Sequence, residues 1–198
     1  MRIISGEAKG RVLFAPSGAQ TRPTSDKIRG ALFNIIGSRV LDSRVLDLFG
    51  GSGALALEAL SRGAESAVIA DNSRQAWQAI DRNARNVLKD DFDLRVRILN
   101  QDYRSAIAAV VGEIFDLVFL DPPYRMVEAY GDALSRLLRT DMLAPGCLIV
   151  MERRRDAQVP LPQAVAVFDT RQYGDTAVDF AEIRSAGDEG QQTAINED

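Results

Sequence analysis

The sequence predicts an α/β domain built on a mostly parallel sheet with helices on both faces, preceded by a small N-terminal β-hairpin. Short apolar runs alternate with longer amphipathic runs between residues 44 and 150, which is typical of strands and helices that alternate along a parallel sheet. Two further strand-like runs follow without a helical pattern between them. The chain has 198 residues, a length that suits one compact domain.

The first forty residues are predicted to form an extension of this domain. Two strand-like runs, residues 2–4 and 11–14, flank a turn from Gly6 to Gly10, and a Pro/Gly/Thr-rich loop extends from residue 16 to residue 24. Thr24 or Ser25 then caps a helix that ends near Gly37. Its apolar residues recur at helical spacing: Ile28, Leu32, Phe33 and Ile36.

The rest of the chain is predicted to form the sheet and its covering helices. The expected strands span residues 45–49, 67–70, 95–100, 115–120, 148–152, 164–169 and 177–183. The expected helices span residues 54–62, 74–89, 105–111 and 127–139. The last two strands are expected to form a hairpin through the turn from Gln172 to Asp175. The chain therefore divides into an extension (1–40), a main domain (41–186) and an acidic tail (187–198) that we expect to be disordered.

The composition excludes several classes of site and location. The chain has no His and one Cys, which excludes His-based acid/base chemistry, Ser-His-Asp triads and Cys/His zinc sites, and we expect no metal. The longest apolar runs fall far short of the roughly 18 to 20 residues of a membrane span. A lone Cys147 forms no internal disulfide, and the start of the chain lacks a signal-peptide pattern. We therefore expect a cytoplasmic protein without membrane contact.

Positive charge is concentrated at one end of the chain. The formal net charge is -4, but four acids and no Lys or Arg lie in the tail. Residues 1–40 contain seven basic residues against Glu7 and Asp26. This distribution favours contact with a polyanion through the extension. The basic residues are Arg2, Lys9, Arg11, Arg22, Lys27, Arg29 and Arg39.

A glycine-rich segment from Asp47 to Ala56 lies between the first sheet strand and a helix. Its spacing, Gly51-x-Gly53-x-x-Ala56, fits a nucleoside-binding loop, in which glycines allow close backbone approach and the helix N-terminus offers free N–H groups. Asp71 follows the next strand, where an acid can accept hydrogen bonds from a ribose diol. The alternative is a glycine turn that only tightens packing. The expected cofactor contacts here are Asp47, Phe49, Gly50, Gly51, Gly53, Ala54, Asp71 and Asn72.

The acid at Asp47 favours one kind of nucleoside cofactor. A dinucleotide would place its pyrophosphate over this loop, where an acid is unfavourable, whereas S-adenosylmethionine (SAM) presents a sulfonium and an ammonium group. Asp102, with Tyr103 beside it, follows the third strand, where a carboxylate can accept a hydrogen bond from an adenine amino group. A helix cap is the alternative role of Asp102.

The segment Asp121-Pro122-Pro123-Tyr124 directly follows an apolar strand and is the predicted catalytic element. Two prolines make a rigid turn at the carboxyl edge of the sheet, where ligands bind in such folds. A carboxylate and a turn carbonyl can accept both N–H groups of a base amine, and the Tyr ring can stack on the base. The alternative is a Pro-Pro turn that merely ends the strand.

Taken together, these motifs resemble the bacterial RsmD-type methyltransferases, and the resemblance extends from Arg2 to about Ile183. Besides the glycine and Asp-Pro-Pro-Tyr segments, it rests on segments that begin at Arg2, Gly10, Thr21, Glu58 and Tyr173. Three residues depart from the usual family pattern: Gly30 stands for Glu, Gly50 for Ala and Asp71 for Glu. Gly30 leaves open the role of the carboxylate that is usual there.

The resemblance implies a Rossmann-like class I SAM-dependent methyltransferase that modifies the N2 amine of a guanine in small-subunit ribosomal RNA. It implies ribosomal RNA or an assembling small subunit as partner, and we expect a monomer. The extension would then supply the RNA contacts Arg2, Lys9, Arg11, Arg22, Lys27 and Arg29. Three alternatives stay open: an amino methyltransferase acting on an adenine or guanine in other RNA or DNA, an NAD-dependent oxidoreductase and a non-catalytic RNA-binding module.

Overall fold

A computed structural model describes residues 1–16 and 26–184. The helices are α1 (Asp26–Ile36), α2 (Ala54–Ser61), α3 (Arg74–Leu88), α4 (Phe92–Arg95), α5 (Tyr103–Ala109) and α6 (Glu128–Arg139). The strands are β1 (Arg44–Asp47), β2 (Ser66–Ala70), β3 (Val96–Leu99), β4 (Phe115–Leu120), β5 (Leu143–Arg154), β6 (Val165–Tyr173) and β7 (Thr176–Ile183). The predicted alternation of strands and helices is confirmed.

The seven strands form one sheet in the order β3-β2-β1-β4-β5-β7-β6. The first five are parallel, whereas β7 runs antiparallel to both β5 and β6. The predicted terminal hairpin is therefore confirmed. Strand order reverses between β1 and β4, so the carboxyl ends of these two strands flank the crevice where ligands bind in open α/β sheets.

Helices cover both faces of the sheet, as predicted. On one face, apolar residues of α1, α2 and α3 pack on β1, β4, β5 and β7. On the other face, α5 and α6 pack on the alternate residues of these strands. Strands buried on both faces explain the nearly continuous apolar runs in the sequence. No helix in residues 1–16 and 26–184 is long and apolar enough to cross a membrane.

Residues 1–16, here called the N-terminal arm, fold back on themselves with less regular pairing than the predicted hairpin. Arg2 and Val12 form a single antiparallel bridge, and Ile3 and Arg11 are joined by a backbone hydrogen bond of 2.9 Å. The regular pairing is short because the chain turns at Gly6 and packs against Ser61 of α2. Gly6 has φ +83°, and a Cβ there would lie 1.7 Å from the backbone oxygen of Ser61, so only glycine fits this contact.

Several element boundaries differ from the prediction. Strand β5 begins five residues earlier than expected, where Leu143 pairs with Phe115 of β4, and it continues to Arg154 because antiparallel pairing with β7 extends its end. Strand β6 likewise continues to Tyr173. The short helix α4 precedes β3, where the sequence pattern gave only a strand. The predicted loop with its cap at Thr24 or Ser25, and the acidic tail, lie outside the described residues.

Candidate active site

The glycine loop after β1 is held in a defined shape by the strand beside it. Gly51 and Gly53 have φ +55° and +77°, and the backbone N–H of Gly50 donates to Ala70 at 2.9 Å. The Asp71 carboxylate accepts hydrogen bonds from the N–H of Gly51 at 2.9 Å and of Ser73 at 2.8 Å. Asp71 therefore shapes the loop itself, a role that the sequence did not indicate, and its remaining lone pairs can still accept from a diol.

Gly50 has a packing reason to be glycine. A Cβ at this position would lie 2.4 Å from Cγ2 of Ile69 and 3.0 Å from Cδ1 of Ile80. One of these core side chains would have to shift to admit it. Glycine at this position, where the family usually has Ala, therefore leaves the space that Ile69 and Ile80 occupy beneath the loop.

Asp47, the last residue of β1, is an almost fully buried acid. It is 2% exposed, and its carboxylate accepts one hydrogen bond from the N–H of Phe49 at 3.3 Å. Burial raises the pKa of Asp47 to about 7, and the charge of Asp71 acts in the same direction. Because burial and the Asp71 charge disfavour the ionised form of Asp47, a neighbouring cation would stabilise that form.

The Asp121 to Tyr124 segment forms a turn at the carboxyl end of β4. The N–H of Met126 donates to the Pro123 carbonyl at 2.7 Å, which leaves the Pro122 carbonyl as the candidate acceptor of the turn. The Tyr124 ring is 51% exposed and available for stacking.

Three acids end neighbouring strands at this edge of the sheet: Asp47 on β1, Asp121 after β4 and Glu152 on β5. Burial raises the pKa of Asp121 well above its usual range, and the charges of Glu152 and Asp47 raise it further. Glu152 was not among the site residues predicted from the sequence. Its signal is an acid at the end of the apolar run 147–151, in the strand next to β4.

The residues after β3 serve mainly as structural supports. Asp102 caps α5 by accepting from Arg104 N at 2.9 Å and Ser105 Oγ at 2.7 Å, and the bond from Ser105 is the main cause of its lowered pKa. The cap role is thus present, and the adenine contact stays a proposal. Tyr103 is 4% exposed, and its hydroxyl donates to Asp132 at 2.8 Å. Its side chain therefore belongs to the core beneath Phe49, and a cofactor contact at Tyr103 stays a prediction.

Arg29 is the clearest correction among the predicted RNA contacts. Its side chain is fully buried and donates to the Arg2 carbonyl and to Asp26 at 3.0 Å. Its Nε lies 3.7 Å from the buried carboxylate of Glu58. The guanidinium therefore joins α1 to α2 and the N-terminal arm, and no phosphate can reach it.

The other predicted RNA contacts differ in how open they are. Arg2, Lys9 and Lys27 are exposed. Arg11 is half-buried, and its guanidinium donates to backbone carbonyls in the last turn of α3, including that of Val87 at 2.9 Å. Arg22 lies outside the described residues. Contact of these side chains with RNA stays a prediction.

The N-terminal arm is joined to the glycine loop through a residue of α3. The amide nitrogen of Asn83, a buried residue of α3, donates to the carbonyls of Phe14 and Ser52 at 2.8 Å each. Asn83 thereby ties the end of the arm to the loop. A polyanion bound by the arm would lie next to the candidate nucleoside site.

Residues 1–182 match the protein family described as Conserved hypothetical protein 95. A curated relative named Putative rRNA methyltransferase YlbH, from Bacillus subtilis (strain 168), is 38% identical over 182 residues, which cover 90% of this chain and 96% of the relative. Ribosomal RNA small subunit methyltransferase D from Escherichia coli (strain K12) is 34% identical over 160 residues, covering 81% of this chain and 78% of the relative.

Solved structures give the same grouping. A structure described as the putative methyltransferase yhhF from Escherichia coli superposes with a TM-score of 0.78 at 31% identity, covering 93% of this chain and 98% of that one. These matches extend over the arm, the glycine loop and the Asp-Pro-Pro-Tyr turn alike, and they confirm the predicted family resemblance. The chain belongs to the Conserved hypothetical protein 95 family, whose members similar to it include proteins named as methyltransferases of small-subunit ribosomal RNA.

Proposed function

We propose that this protein is a SAM-dependent methyltransferase that methylates the exocyclic N2 amine of a guanine in small-subunit ribosomal RNA. The observation that carries the proposal is the juxtaposition of two turns at the switch point of the sheet. The glycine loop after β1 suits a nucleoside, and the Asp121 to Tyr124 turn after β4 presents acceptors and an exposed aromatic ring.

The residues around the glycine loop fit SAM. Gly51 and Gly53 open the backbone for close approach, and Asp71 lies beside the loop with lone pairs left for a ribose diol. Asp47 offers a buried carboxylate whose ionised form needs a cation. Bound SAM supplies an electrophilic methyl group on a positively charged sulfur. The buried acid and the cationic cofactor are complementary in charge.

The Asp121 to Tyr124 turn can activate an aromatic amine. The lone pair of such an amine is delocalised into the ring, so it is a poor nucleophile until its N–H groups are held. The Asp121 carboxylate and the Pro122 carbonyl can accept these two N–H groups and aim the lone pair, while Tyr124 stacks on the base. Transfer of the methyl group would break its bond to sulfur, with S-adenosylhomocysteine as the leaving group. The methylated nitrogen would then be positively charged and release a proton. Asp121, with its raised pKa, is suited to take that proton.

The choice of substrate is supported by the relatives and by the surface. Two curated relatives carry ribosomal RNA methyltransferase names. The N-terminal arm and α1 present exposed basic residues that phosphates flanking a splayed-out base could contact, and Asn83 ties the end of the arm to the glycine loop. We therefore favour a looped RNA guanine over a base in duplex DNA.

The proposal is tested by comparing small-subunit ribosomal RNA nucleosides from a deletion strain and its parent by mass spectrometry. We expect N2-methylguanosine to fall by one residue per ribosomal RNA in the deletion strain. The wild-type gene should restore it, and a gene encoding Asp121→Asn should not. Unchanged N2-methylguanosine together with loss of a methylated adenine would support the alternative amine substrate instead.

A further inference from the structure

Glu152 lies directly beside the catalytic turn. Met151 of β5 is the register partner of Leu120 of β4, so the next residues along these parallel strands, Glu152 and Asp121, occupy adjacent positions. Neighbouring strands are about 5 Å apart. The charge of Glu152 raises the pKa of Asp121, in keeping with the adjacent positions that the strand register gives the two acids. Glu152 is only 7% exposed, so its carboxylate is close to buried.

The backbone at Glu152 is fixed on several sides. Its carbonyl accepts a hydrogen bond from the hydroxyl of Tyr130, a buried residue of α6. Its register partner in β7 is Val178, and the following residue, Arg153, forms an ion pair with Asp179. These contacts fix the backbone from which the Glu152 side chain extends. A side chain on a fixed backbone can hold one position relative to a bound base, as a specificity-determining group must.

The pair of carboxylates matches the donor pattern of one base. Guanine presents two adjoining donors, N1–H and the N2 amine, on its Watson–Crick edge. Adenine and cytosine each present an amine donor beside a ring nitrogen that has a lone pair. A second carboxylate next to the amine-binding Asp121 attracts the N1–H of guanine, whereas it repels the lone pair of adenine N1 or cytosine N3.

From this juxtaposition we infer that Glu152 accepts the N1–H of the target guanine and thereby selects guanine over other amine-bearing bases. The inference rests on the proposed function and adds the residue that sets its substrate class. Glu152 is a specificity-determining residue in this scheme, and Asp121 remains the group that binds the reacting amine.

The test uses RNA substrates that carry guanine or 2-aminopurine at the modified position. 2-Aminopurine keeps the C2 amine but has a lone pair where guanine has N1–H. We expect the wild-type protein to prefer guanine by roughly a hundredfold or more in kcat/KM, because the analogue turns a lone pair toward the Glu152 carboxylate where guanine offers an N–H donor. Glu152→Gln replaces the carboxylate with an amide of the same shape that can donate to N1. We expect it to reduce the preference at least about tenfold.

2-Aminopurine also lacks the O6 atom of guanine. This difference affects the wild-type protein and Glu152→Gln alike, so it cancels when their preferences are compared. Glu152→Asp retains the charge and should keep most of the preference while lowering the rate. Glu65→Gln, an exposed acid just before β2 at the opposite edge of the sheet, is the matched control and should behave as wild type. Thermal unfolding and titration with S-adenosylhomocysteine establish that each variant is folded and binds the cofactor product.

The inference is overturned if folded Glu152→Gln keeps the wild-type preference, or if it weakens S-adenosylhomocysteine binding and leaves the preference unchanged. Either result would place Glu152 outside base selection. Failure of the proposed function would look different, because the wild-type protein itself would then not methylate the guanine substrate.

Discussion

The carboxylate of Asp71, after β2, accepts a hydrogen bond from the backbone N–H of Gly51, in the loop after β1, at 2.9 Å. The second oxygen of the same carboxylate accepts the N–H of Ser73 and so fixes the start of α3. One acid therefore joins two turns at the carboxyl edge of the sheet. The shape of the loop and the placement of the diol acceptor depend on each other.

Replacing Asp71 with Ala should weaken the binding of S-adenosylhomocysteine by about 1.5 to 3 kcal/mol, the range for losing a hydrogen bond to a charged group. The loss has two sources, since both the diol contact and the anchor of Gly51 disappear. Calorimetric titration measures it, with Asp90→Ala, at an exposed acid after α3, as the control. An unchanged affinity would remove Asp71 from the site.

Asp121→Ala and Tyr124→Ala should each lose methyl transfer and keep affinity for S-adenosylhomocysteine. Both side chains belong to the turn after β4 and are proposed to meet the base rather than the cofactor, and positioning groups of this kind contribute on the order of a hundredfold or more in rate. Single-turnover methylation at saturating RNA, alongside calorimetric titration, separates the two effects. Near-wild-type turnover of Asp121→Ala would show that the amine is activated by another group.

The sheet could be predicted from the sequence because strands buried on both faces leave apolar runs that local pattern alone reveals. Arg29 shows where that approach failed. It lies four residues before Phe33 and seven before Ile36, so helical spacing places it on the buried face of α1, but its charge suggested a surface role. The buried acid Glu58, on a helix far along the chain, together with Asp26 and the Arg2 carbonyl, explains why a guanidinium is stable there.

The role of Asp71 in the loop could not be predicted for a similar reason, because its bond to Gly51 joins residues 20 positions apart. Glu152 is an intermediate case. Its position at the end of an apolar strand was visible, but which strand lies next to β4 depends on the topology of the sheet. The Asp-Pro-Pro-Tyr turn could thus be located from local sequence alone. That Glu152 lies beside it follows only from the pairing of β4 with β5.

The stability of the cofactor-free protein should depend on pH through Asp47. Its pKa is about 7 in the folded protein and 3.8 as the ordinary value, so the folded state holds the proton more tightly. The contribution of this group to stability is therefore complete below pH 4 and is lost as the pH rises to about 7. Asp47→Asn cannot ionise, so its stability relative to wild type should rise by a few kcal/mol from pH 4 to pH 8. Urea unfolding at several pH values measures this, and a constant difference would contradict it.

Arg29→Ala should destabilise the fold by about 3 to 5 kcal/mol, since it leaves the fully buried Glu58 with one fewer cation and opens a gap between α1 and α2. Lys27→Ala, two residues earlier but exposed, should change the free energy of unfolding by no more than about 0.5 kcal/mol. Urea unfolding of both variants tests the contrast. Equal stabilities would mean that the buried network does not contribute to the fold.

Three exposed basic residues are candidate RNA contacts: Arg2 and Lys9 of the N-terminal arm and Lys27 of α1. If each contacts a phosphate, replacing all three with Ala should flatten the dependence of log K on log salt by about 2 units, because each phosphate contact on single-stranded RNA contributes about 0.7 to the slope. The affinity for S-adenosylhomocysteine should stay the same, since none of the three is among the proposed cofactor contacts. A matched triple replacement at exposed arginines elsewhere controls for net charge: Arg97, Arg139 and Arg171. A wild-type salt slope in the first triple variant would exclude the arm as the RNA contact and would make the exposed Arg154-Arg155 pair, which follows Glu152 by two residues, the next surface to test.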